Sequence, residues 1–387
     1  MTSPAAIDAV FEHAVTAGIV PGVVAMAATA GGPIYEGAFG TRKLGGAAPM
    51  SLDTVFRIAS MTKAITSVAA MQLVERGKLT LDGPVPAIDP ALASPQVLTG
   101  FDTAGQPLLR PAKRPITLKH LLTHTAGFCY AIWNPDVERT IKATGMPEMA
   151  SGKLAAMRLP LMFDPGDRWE YGINIDWVGR LVEEASGQKL DAYFAEHITG
   201  PLGMSDTGFA PSPGQRARQA VVHQRAADGS LTPQPFEELV PREFLAGGGG
   251  LYSTAGDYLA FLRALLEGGG KILKPETVAL MGENHIGELP AGVLKTNAPL
   301  LTNDVDLFPG QKMRWGLGYM LSPEPGPNGR SAGSVTWAGL FNSYYWLDPK
   351  RRVAGVAMTQ VLPFADPQVL AICGAFERGV YTELGAE

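Results

Sequence analysis

The chain has 387 residues, of which 46% are hydrophobic and 18% are charged. This length allows one large domain or two closely packed domains, and the composition is that of a folded protein rather than a disordered one. A net charge of −5 without a basic run argues against a nucleic-acid partner. No stretch approaches the ~18 apolar residues of a membrane span, and the N-terminus has no signal-peptide pattern, so we expect a cytoplasmic protein that does not bind membranes.

Both ends of the chain carry strand and helix patterns. Amphipathic spacing predicts a first helix over 1–17 and a closing helix over 366–384. Runs with strand composition lie at 22–28, 33–40, 334–337, 344–347 and 353–359. We therefore expect one antiparallel sheet built from both ends of the chain.

The middle of the chain is mainly helical by pattern. Apolar spacing predicts a helix over 61–77, with Ile65, Ala69 and Leu73 on its buried face and Gly77 at its end. Further helices are predicted at 117–122, at 176–185 and after Thr254, and proline- and glycine-rich connectors at 84–115, 210–214 and 323–333.

These patterns predict an α+β fold with two domains. Residues 1–80 and 215–387 form the sheet domain, and residues 81–214 form a mainly helical domain inserted between its two halves. We expect the active site to lie between the two domains.

The first candidate for chemistry is Ser60-Met61-Thr62-Lys63, at the start of the helix predicted over 61–77. Residues three apart share a helical face, so the Lys63 amine can reach the Ser60 hydroxyl. Serine becomes a nucleophile only when a base takes its proton, and a lysine with the ordinary pKa of about 10.4 is almost wholly protonated at pH 7. We therefore expect burial, with nearby positive charge or hydrogen bonds, to lower the pKa of Lys63.

Two other serine motifs lack the context that their chemistry needs. Ser186-Gly187-Gln188-Lys189 repeats the spacing but crosses a helix end at Gly187, where both side chains should be solvated. The segment 329–333 matches the G-x-S-x-G nucleophile elbow around Ser331, which requires a strand before it and a helix after it. A loop precedes this segment and a strand pattern follows it, so Ser60 is the preferred nucleophile.

The histidines and the glycine run 247–250 have simpler interpretations. His120 and His124 are four apart, but no glutamate follows His120 as in the H-E-x-x-H zinc motif. We expect them to bond backbone carbonyls at the end of a helix, and we expect no metal.

The glycine run lacks the G-K-[ST] of a phosphate loop and predicts close backbone packing beside the pocket.

Three segments together resemble a known family. Ser60-Met61-Thr62-Lys63, the run 169–177 around Tyr171, and Trp337-Ala338-Gly339 occur in the order and at the distances of family VIII carboxylesterases. That family belongs to the superfamily of class C β-lactamases and penicillin-binding-protein-like D-peptidases. The segments 100–102, 116–127 and 171–177 are similar to the fungal acyltransferases that install statin side chains.

The resemblance implies a β-lactamase-like fold and a role for each matching residue. Ser60 would be the nucleophile, Lys63 its proton acceptor, and Tyr171 a second acid/base whose phenolate the lysine charge would stabilise. The amides of Ser60 and Leu340 would form the oxyanion hole. No metal or organic cofactor is implied.

Two departures from the β-lactamase pattern bear on the substrate. Trp337-Ala338-Gly339 replaces the Lys-Thr-Gly box and so removes the cation that would meet a substrate carboxylate. Asn174 stands one place late after Tyr171, which displaces an amide-binding side chain. Both changes favour an uncharged ester. The expected pocket residues are Phe128, Tyr130, Trp133, Trp337, Gly339 and Phe341.

The sequence therefore predicts a carboxylesterase that hydrolyses short- to medium-chain acyl esters through an acyl-enzyme at Ser60, with a small-molecule ester as its partner. Acyl transfer to an alcohol or amine acceptor, and a weak β-lactamase activity, stay open as alternatives. A binding or sensor protein that retains the fold without turnover is the rival from another class.

Overall fold

A computed structural model describes residues 5–235 and 242–383. The α-helices are α1 (Ala5–Thr16), α2 (Thr62–Glu75), α3 (Pro90–Ala93), α4 (Leu118–Leu122), α5 (Pro135–Thr144), α6 (Asn174–Ser186), α7 (Leu190–Phe194), α8 (Gly200–Leu202), α9 (Pro213–Ala217), α10 (Ala255–Leu266), α11 (Pro275–Met281) and α12 (Pro367–Glu383). The strands are β1 (Gly22–Thr29), β2 (Gly32–Gly40), β3 (Phe56–Arg57), β4 (Gln96–Phe101), β5 (Pro107–Pro111), β6 (Val222–Arg225), β7 (Leu231–Gln234), β8 (Tyr252–Ser253), β9 (Arg314–Trp315), β10 (Met320–Leu321), β11 (Val335–Gly339), β12 (Ser343–Asp348), β13 (Val353–Met358) and β14 (Val361–Leu362). A 3₁₀-helical turn, Ala59–Met61, leads directly into α2.

The largest sheet has seven strands in the order β2-β1-β13-β12-β11-β10-β9. Every neighbouring pair in it is antiparallel, and β1 from the start of the chain pairs with β13 near its end. The predicted α+β fold with one antiparallel sheet built from both ends is confirmed. The domain boundaries at residues 80 and 215 stay a prediction.

Helices cover both faces of this sheet because neighbouring residues of a strand point to opposite sides. On one face, Val23 packs in a cluster with Phe11 of α1 and Phe376 of α12. On the other face, Val24 belongs to the main core together with Leu259 of α10. The inner strands are thus buried on both sides, and β11 and β12 contact the 3₁₀ turn that leads into α2.

Helix α2 differs from its prediction. We expected one buried face, but every residue from Thr62 to Leu73 is buried, polar ones included. The helix therefore runs through the centre of the molecule rather than along its surface. It ends as predicted, since Gly77 just beyond it adopts a left-handed conformation with φ of 66°.

Other boundaries and connectors also differ from the sequence pattern. The segment 84–115, predicted as a connector, contains the hairpin β4–β5, and α5 was not predicted at all. Residues 1–4 and Leu384 of the predicted terminal helices lie outside the described residues. Within the part of the chain that the structure describes, no helix is long and apolar enough to cross a bilayer.

Candidate active site

Ser60 lies in the 3₁₀ turn that opens α2 and faces a cavity of about 280 Å³. The residue before it, Ala59, has φ of 43°, in a region that costs a non-glycine residue free energy. The surrounding packing holds this strained backbone, and the strain lies immediately beside the proposed nucleophile.

Lys63 is fully buried, and its amine is surrounded by three oxygen atoms. Its Nζ lies 3.1 Å from the Ser60 Oγ, 3.3 Å from the Tyr130 Oη and 2.5 Å from the Gly248 carbonyl oxygen. Burial lowers the pKa of Lys63 to about 7, and the negative charge of Asp176 opposes this shift. We expected nearby positive charge to assist the shift, but desolvation alone produces it.

Tyr130 and Asp176 extend the polar cluster beyond the pair found from the sequence. The buried Asp176 carboxylate accepts a hydrogen bond from the Gly248 amide at 2.9 Å and interacts with the Tyr130 hydroxyl. Burial raises the pKa of Asp176, whereas the charge of Lys63 lowers it. Asp176 carries no distinctive signal in the sequence, because an acidic residue in the first turn of a helix is usually explained by the helix dipole.

Tyr171 lies between Lys63 and Trp337. The Trp337 indole N–H donates to the Tyr171 Oη at 2.8 Å, and the Lys63 Nζ is 4.7 Å from the centre of the Tyr171 ring. Burial raises the pKa of Tyr171, and hydrogen bonds with Ser60 and Trp337 offset part of that increase. The phenol is therefore neutral at pH 7, and Lys63 is the better proton acceptor of the two.

His124 and Asn174 support the segment that carries Tyr171. Asn174 Nδ2 donates to the Phe128 carbonyl at 2.9 Å and lies 3.1 Å from the His124 Nδ1. The prediction that His120 and His124 bond carbonyls at a helix end is wrong, since the Nδ1 of His120 accepts the Thr117 amide at the start of α4. Burial holds the pKa of His124 well below its ordinary value, so its ring is neutral.

The glycines beside the site allow close backbone approach. A Cβ on Gly339 would lie 2.4 Å from the carbonyl oxygen of Ile58, so β11 can rest against the turn of Ser60 only with glycine there. Leu340, the next residue, lines the cavity together with Ser60. The glycine run 247–250 packs beside the pocket as predicted, with Gly248 bonded to both Lys63 and Asp176.

The cavity wall agrees only in part with the expected pocket residues. Tyr130, Trp133 and Trp337 line it. The other three do not line it: Phe128 packs in the core against Trp177, Gly339 packs on the backbone of Ile58, and Phe341 lines a neighbouring cavity. The sequence pattern could not separate core aromatics from cavity aromatics, because both types are apolar and spaced alike.

The rejected serine motifs lie away from this cluster. Ser331 is in a loop followed by strand β11, without the helix that a nucleophile elbow needs. At the second S-x-x-K match, Lys189 is exposed as expected, but Ser186 is half-buried and donates to the Val182 carbonyl.

A profile of the beta-lactamase family matches residues 7–372, nearly the whole sequence. The chain belongs to the beta-lactamase family. Similar relatives include the monacolin J acid methylbutanoyltransferase of Aspergillus terreus, 34% identical over 97% of this chain and 95% of the relative. Lovastatin esterase of Penicillium rubens is 35% identical over 98% of each chain.

Solved structures of related proteins agree with this family assignment. A mutant of simvastatin synthase from Aspergillus terreus gives a TM-score of 0.86 at 32% identity and covers 98% of this chain and 97% of that one. EstCE1, a hydrolase with promiscuous acyltransferase activity, gives 0.76 at 23% identity over 97% of each chain and supports the fold alone. This beta-lactamase-family chain is an enzyme of the serine hydrolase and acyltransferase superfamily, and acyl transfer or hydrolysis fits its relatives.

Proposed function

We propose that this enzyme is a carboxylesterase that acts through an acyl-enzyme at Ser60. The observation that carries the proposal is the 3.1 Å contact between the Ser60 hydroxyl and a fully buried Lys63 amine, whose pKa burial lowers to about 7. Such an amine is about half neutral at pH 7, so it can accept a proton from serine.

The surroundings of Lys63 match the bonding capacity of a neutral amine. A neutral amine has two N–H groups and one lone pair. The Gly248 carbonyl can only accept, and it takes one N–H. The Tyr130 oxygen takes the second N–H while its own hydroxyl interacts with Asp176. The lone pair is then left for the proton of Ser60.

The first half-reaction follows from these positions. Lys63 takes the Ser60 proton as the serine oxygen bonds to the ester carbonyl carbon, and the π-electron pair of the carbonyl moves to its oxygen. When that pair returns, the bond to the alcohol oxygen breaks. The leaving alkoxide takes the Tyr171 proton, and the Lys63 ammonium restores the proton of Tyr171. Water then attacks the acyl-enzyme by the same route and releases the acid.

Three features of the site bear on its substrate, which we propose is an uncharged ester. The amides of Ser60 and Leu340 are the proposed donors to the oxyanion, and losing one such donor typically costs about 3 kcal/mol of activation free energy. The Trp337 indole occupies the Lys-Thr-Gly position and bonds the phenol of Tyr171 rather than offering a cation. The cavity wall is mostly apolar, which suits short- to medium-chain acyl esters.

Acyl transfer is the second candidate, and a relative named as a transferase supports it. Two proteins similar along almost the whole chain are named as a methylbutanoyltransferase and as an esterase. Both reactions pass through the same acyl-enzyme and differ in whether water or an alcohol or amine accepts the acyl group. A weak β-lactamase activity, the further alternative, would use the same serine.

The cytoplasmic location stays a prediction.

The test of the proposal locates the acylated residue. After exposure to an activated ester, mass spectrometry should place the acyl group on Ser60, and Ser60→Ala should abolish both labelling and turnover. Lys63→Ala and Tyr171→Phe should each lower kcat at least ~100-fold, the usual contribution of one acid/base group. Ser331→Ala is the matched control and should retain activity; the reverse pattern would restore the nucleophile elbow.

Product analysis separates hydrolysis from transfer. The purified enzyme is given an activated butyrate ester with and without an excess of an alcohol acceptor. Free butyrate in both cases supports the esterase. A new butyrate ester that forms faster than free acid, and disappears in Ser60→Ala, would instead support acyl transfer.

A further inference from the structure

A second cavity, of about 330 Å³, adjoins the catalytic one. The two share four wall residues, which are Tyr130, Ile132, Met149 and Ala150. We call this cavity the second chamber. Much of its remaining wall comes from α5 and from residues 297–301, and neither segment carries any of the proposed catalytic residues. The wall is completed by Cys129, Ala131, Glu148, Leu159 and Ile173.

The wall of the second chamber is mostly apolar, although Glu138, Lys142 and Glu148 also line it, and hydrogen bonds hold its segments together. Val137, Ile141 and Leu301 supply apolar surface. The Asn297 amide group donates to the Ala131 carbonyl at 3.0 Å and to the Glu138 carboxylate at 2.6 Å. These bonds fix the 297–301 segment against α5, so the chamber is a built part of the site rather than a gap between loose segments.

The position of the chamber relative to the reacting atoms indicates what enters it. In the proposed reaction the carbonyl oxygen lies by the Ser60 and Leu340 amides, and the alcohol oxygen lies by its proton donor, Tyr171. The Tyr130 ring centre lies 5.5 Å from that of Tyr171, the proposed proton donor to the alcohol oxygen. Tyr130 also lines the second chamber, whereas Leu340 does not.

We propose that the second chamber binds the alcohol portion of the substrate and selects esters of bulky apolar alcohols. This assignment rests on the proposed function at Ser60. The value of kcat/KM should therefore depend on the size of the alcohol, because the second chamber adds apolar contacts to those of the catalytic cavity.

Two variants fill the chamber from different sides without touching the catalytic cluster. Ala298→Phe adds a ring from the 297–301 segment, and Ile141→Trp adds one from α5. Both residues are half-buried and line only the second of the two cavities. Ala227→Phe, on the exposed turn between β6 and β7, is the matched control.

The measurement compares two ester series by acid release. One series keeps butyrate and varies the alcohol from methyl to butyl to octyl; the other keeps methanol and varies the acid from acetate to octanoate. Each methylene removed from apolar contact lowers kcat/KM about fourfold. Both filling variants should therefore lose at least tenfold on octyl butyrate and change less than twofold on methyl butyrate and methyl octanoate.

The outcomes separate this proposal from the one on which it rests. A selective loss on methyl octanoate would assign the chamber to the acyl chain and overturn the proposal, as would unchanged activity on all esters. An equal loss on every ester would overturn it too, because the substitutions would then act on the catalytic centre. If the wild type hydrolyses no ester and Ser60 is not acylated, the proposed function itself fails.

Discussion

At the scale of single residues, the site is ordered by groups that can bond in only one direction. The Gly248 and Trp337 N–H groups can only donate, and the Gly248 carbonyl can only accept. These fixed partners limit the arrangements of protons around Lys63 and Tyr171. The same backbone residue, Gly248, therefore positions both the amine and the carboxylate of the cluster.

The first prediction concerns the pH dependence of Asp176→Asn. Lys63 must be neutral to act as a base, so kcat/KM of the wild type should fall as the pH drops through about 7. The Asp176 charge raises the pKa of Lys63, and asparagine removes that charge while keeping an acceptor for the Gly248 amide. The acidic limb of the profile should move to lower pH.

The control for this shift is Asp228→Asn, which removes an equal charge from an exposed turn. Its pH profile should coincide with that of the wild type. A limb that stays in place or moves to higher pH in Asp176→Asn would contradict the assigned electrostatic role.

The second prediction concerns Trp337→Phe. Phenylalanine keeps an aromatic ring but removes the N–H that bonds Tyr171 at 2.8 Å. A hydrogen bond of this kind contributes about 1 kcal/mol, so kcat should fall roughly fivefold. Trp346→Phe is the comparison, because its indole N–H has no partner among the described residues and lies outside the cavity. Equal kcat values for Trp337→Phe and the wild type would show that the bond is not used.

At the scale of elements, the site depends on how closely β11 approaches the turn before α2. The strand carries Trp337 and leads into Leu340, and the turn carries Ser60. Neither element alone contains both proposed oxyanion donors. Their separation is set by Gly339, which leaves no room for a side chain above the Ile58 carbonyl.

Gly339→Ala should therefore act on catalysis through this spacing. An added Cβ would lie 2.4 Å from the Ile58 oxygen, so the strand must move away and take the Leu340 amide with it. Misplacing one oxyanion donor should lower kcat about 100-fold. Steady-state kinetics should show this loss, whereas Gly214→Ala, which has open space around it, should match the wild type. Full activity in Gly339→Ala would remove Leu340 from the oxyanion hole.

At the scale of the whole molecule, the closing helix is tied to the sheet by a buried ion pair. Arg330, which precedes β11, makes two hydrogen bonds of 2.6 Å to Glu377 on α12, and both residues are less than 10% exposed. The guanidinium also lies 5.0 Å from the centre of the Phe308 ring. This pair joins α12 to the loop that leads into β11.

Glu377→Gln should destabilise the fold because it removes the carboxylate that pairs directly with the buried Arg330 charge. Breaking a buried pair in this way typically costs about 3 kcal/mol, and urea unfolding should show a loss of that order. The double variant Arg330→Leu/Glu377→Leu should be more stable than Glu377→Gln, since it leaves no charge uncompensated. Activity per folded molecule should not change. A double variant less stable than the single one would contradict this account.

The sequence by itself determined the features that depend on neighbours along the chain. The i, i+3 spacing of Ser60 and Lys63 places them on one face of a helix, and their side chains lie 3.1 Å apart in the structure. Strand patterns at both ends indicated the antiparallel sheet, and Gly77 indicated the end of α2. These are local properties, because helix and strand periodicity places side chains only a few residues apart.

Only the tertiary structure decided which distant residues surround that pair. Tyr130, Asp176 and Gly248 come from three separate segments, and no spacing in the sequence relates them to Lys63. The lowered pKa of Lys63 likewise depends on burial by the whole fold. Desolvation and charge interactions act through space over several ångströms, so they are set by packing between elements and not by the order of residues.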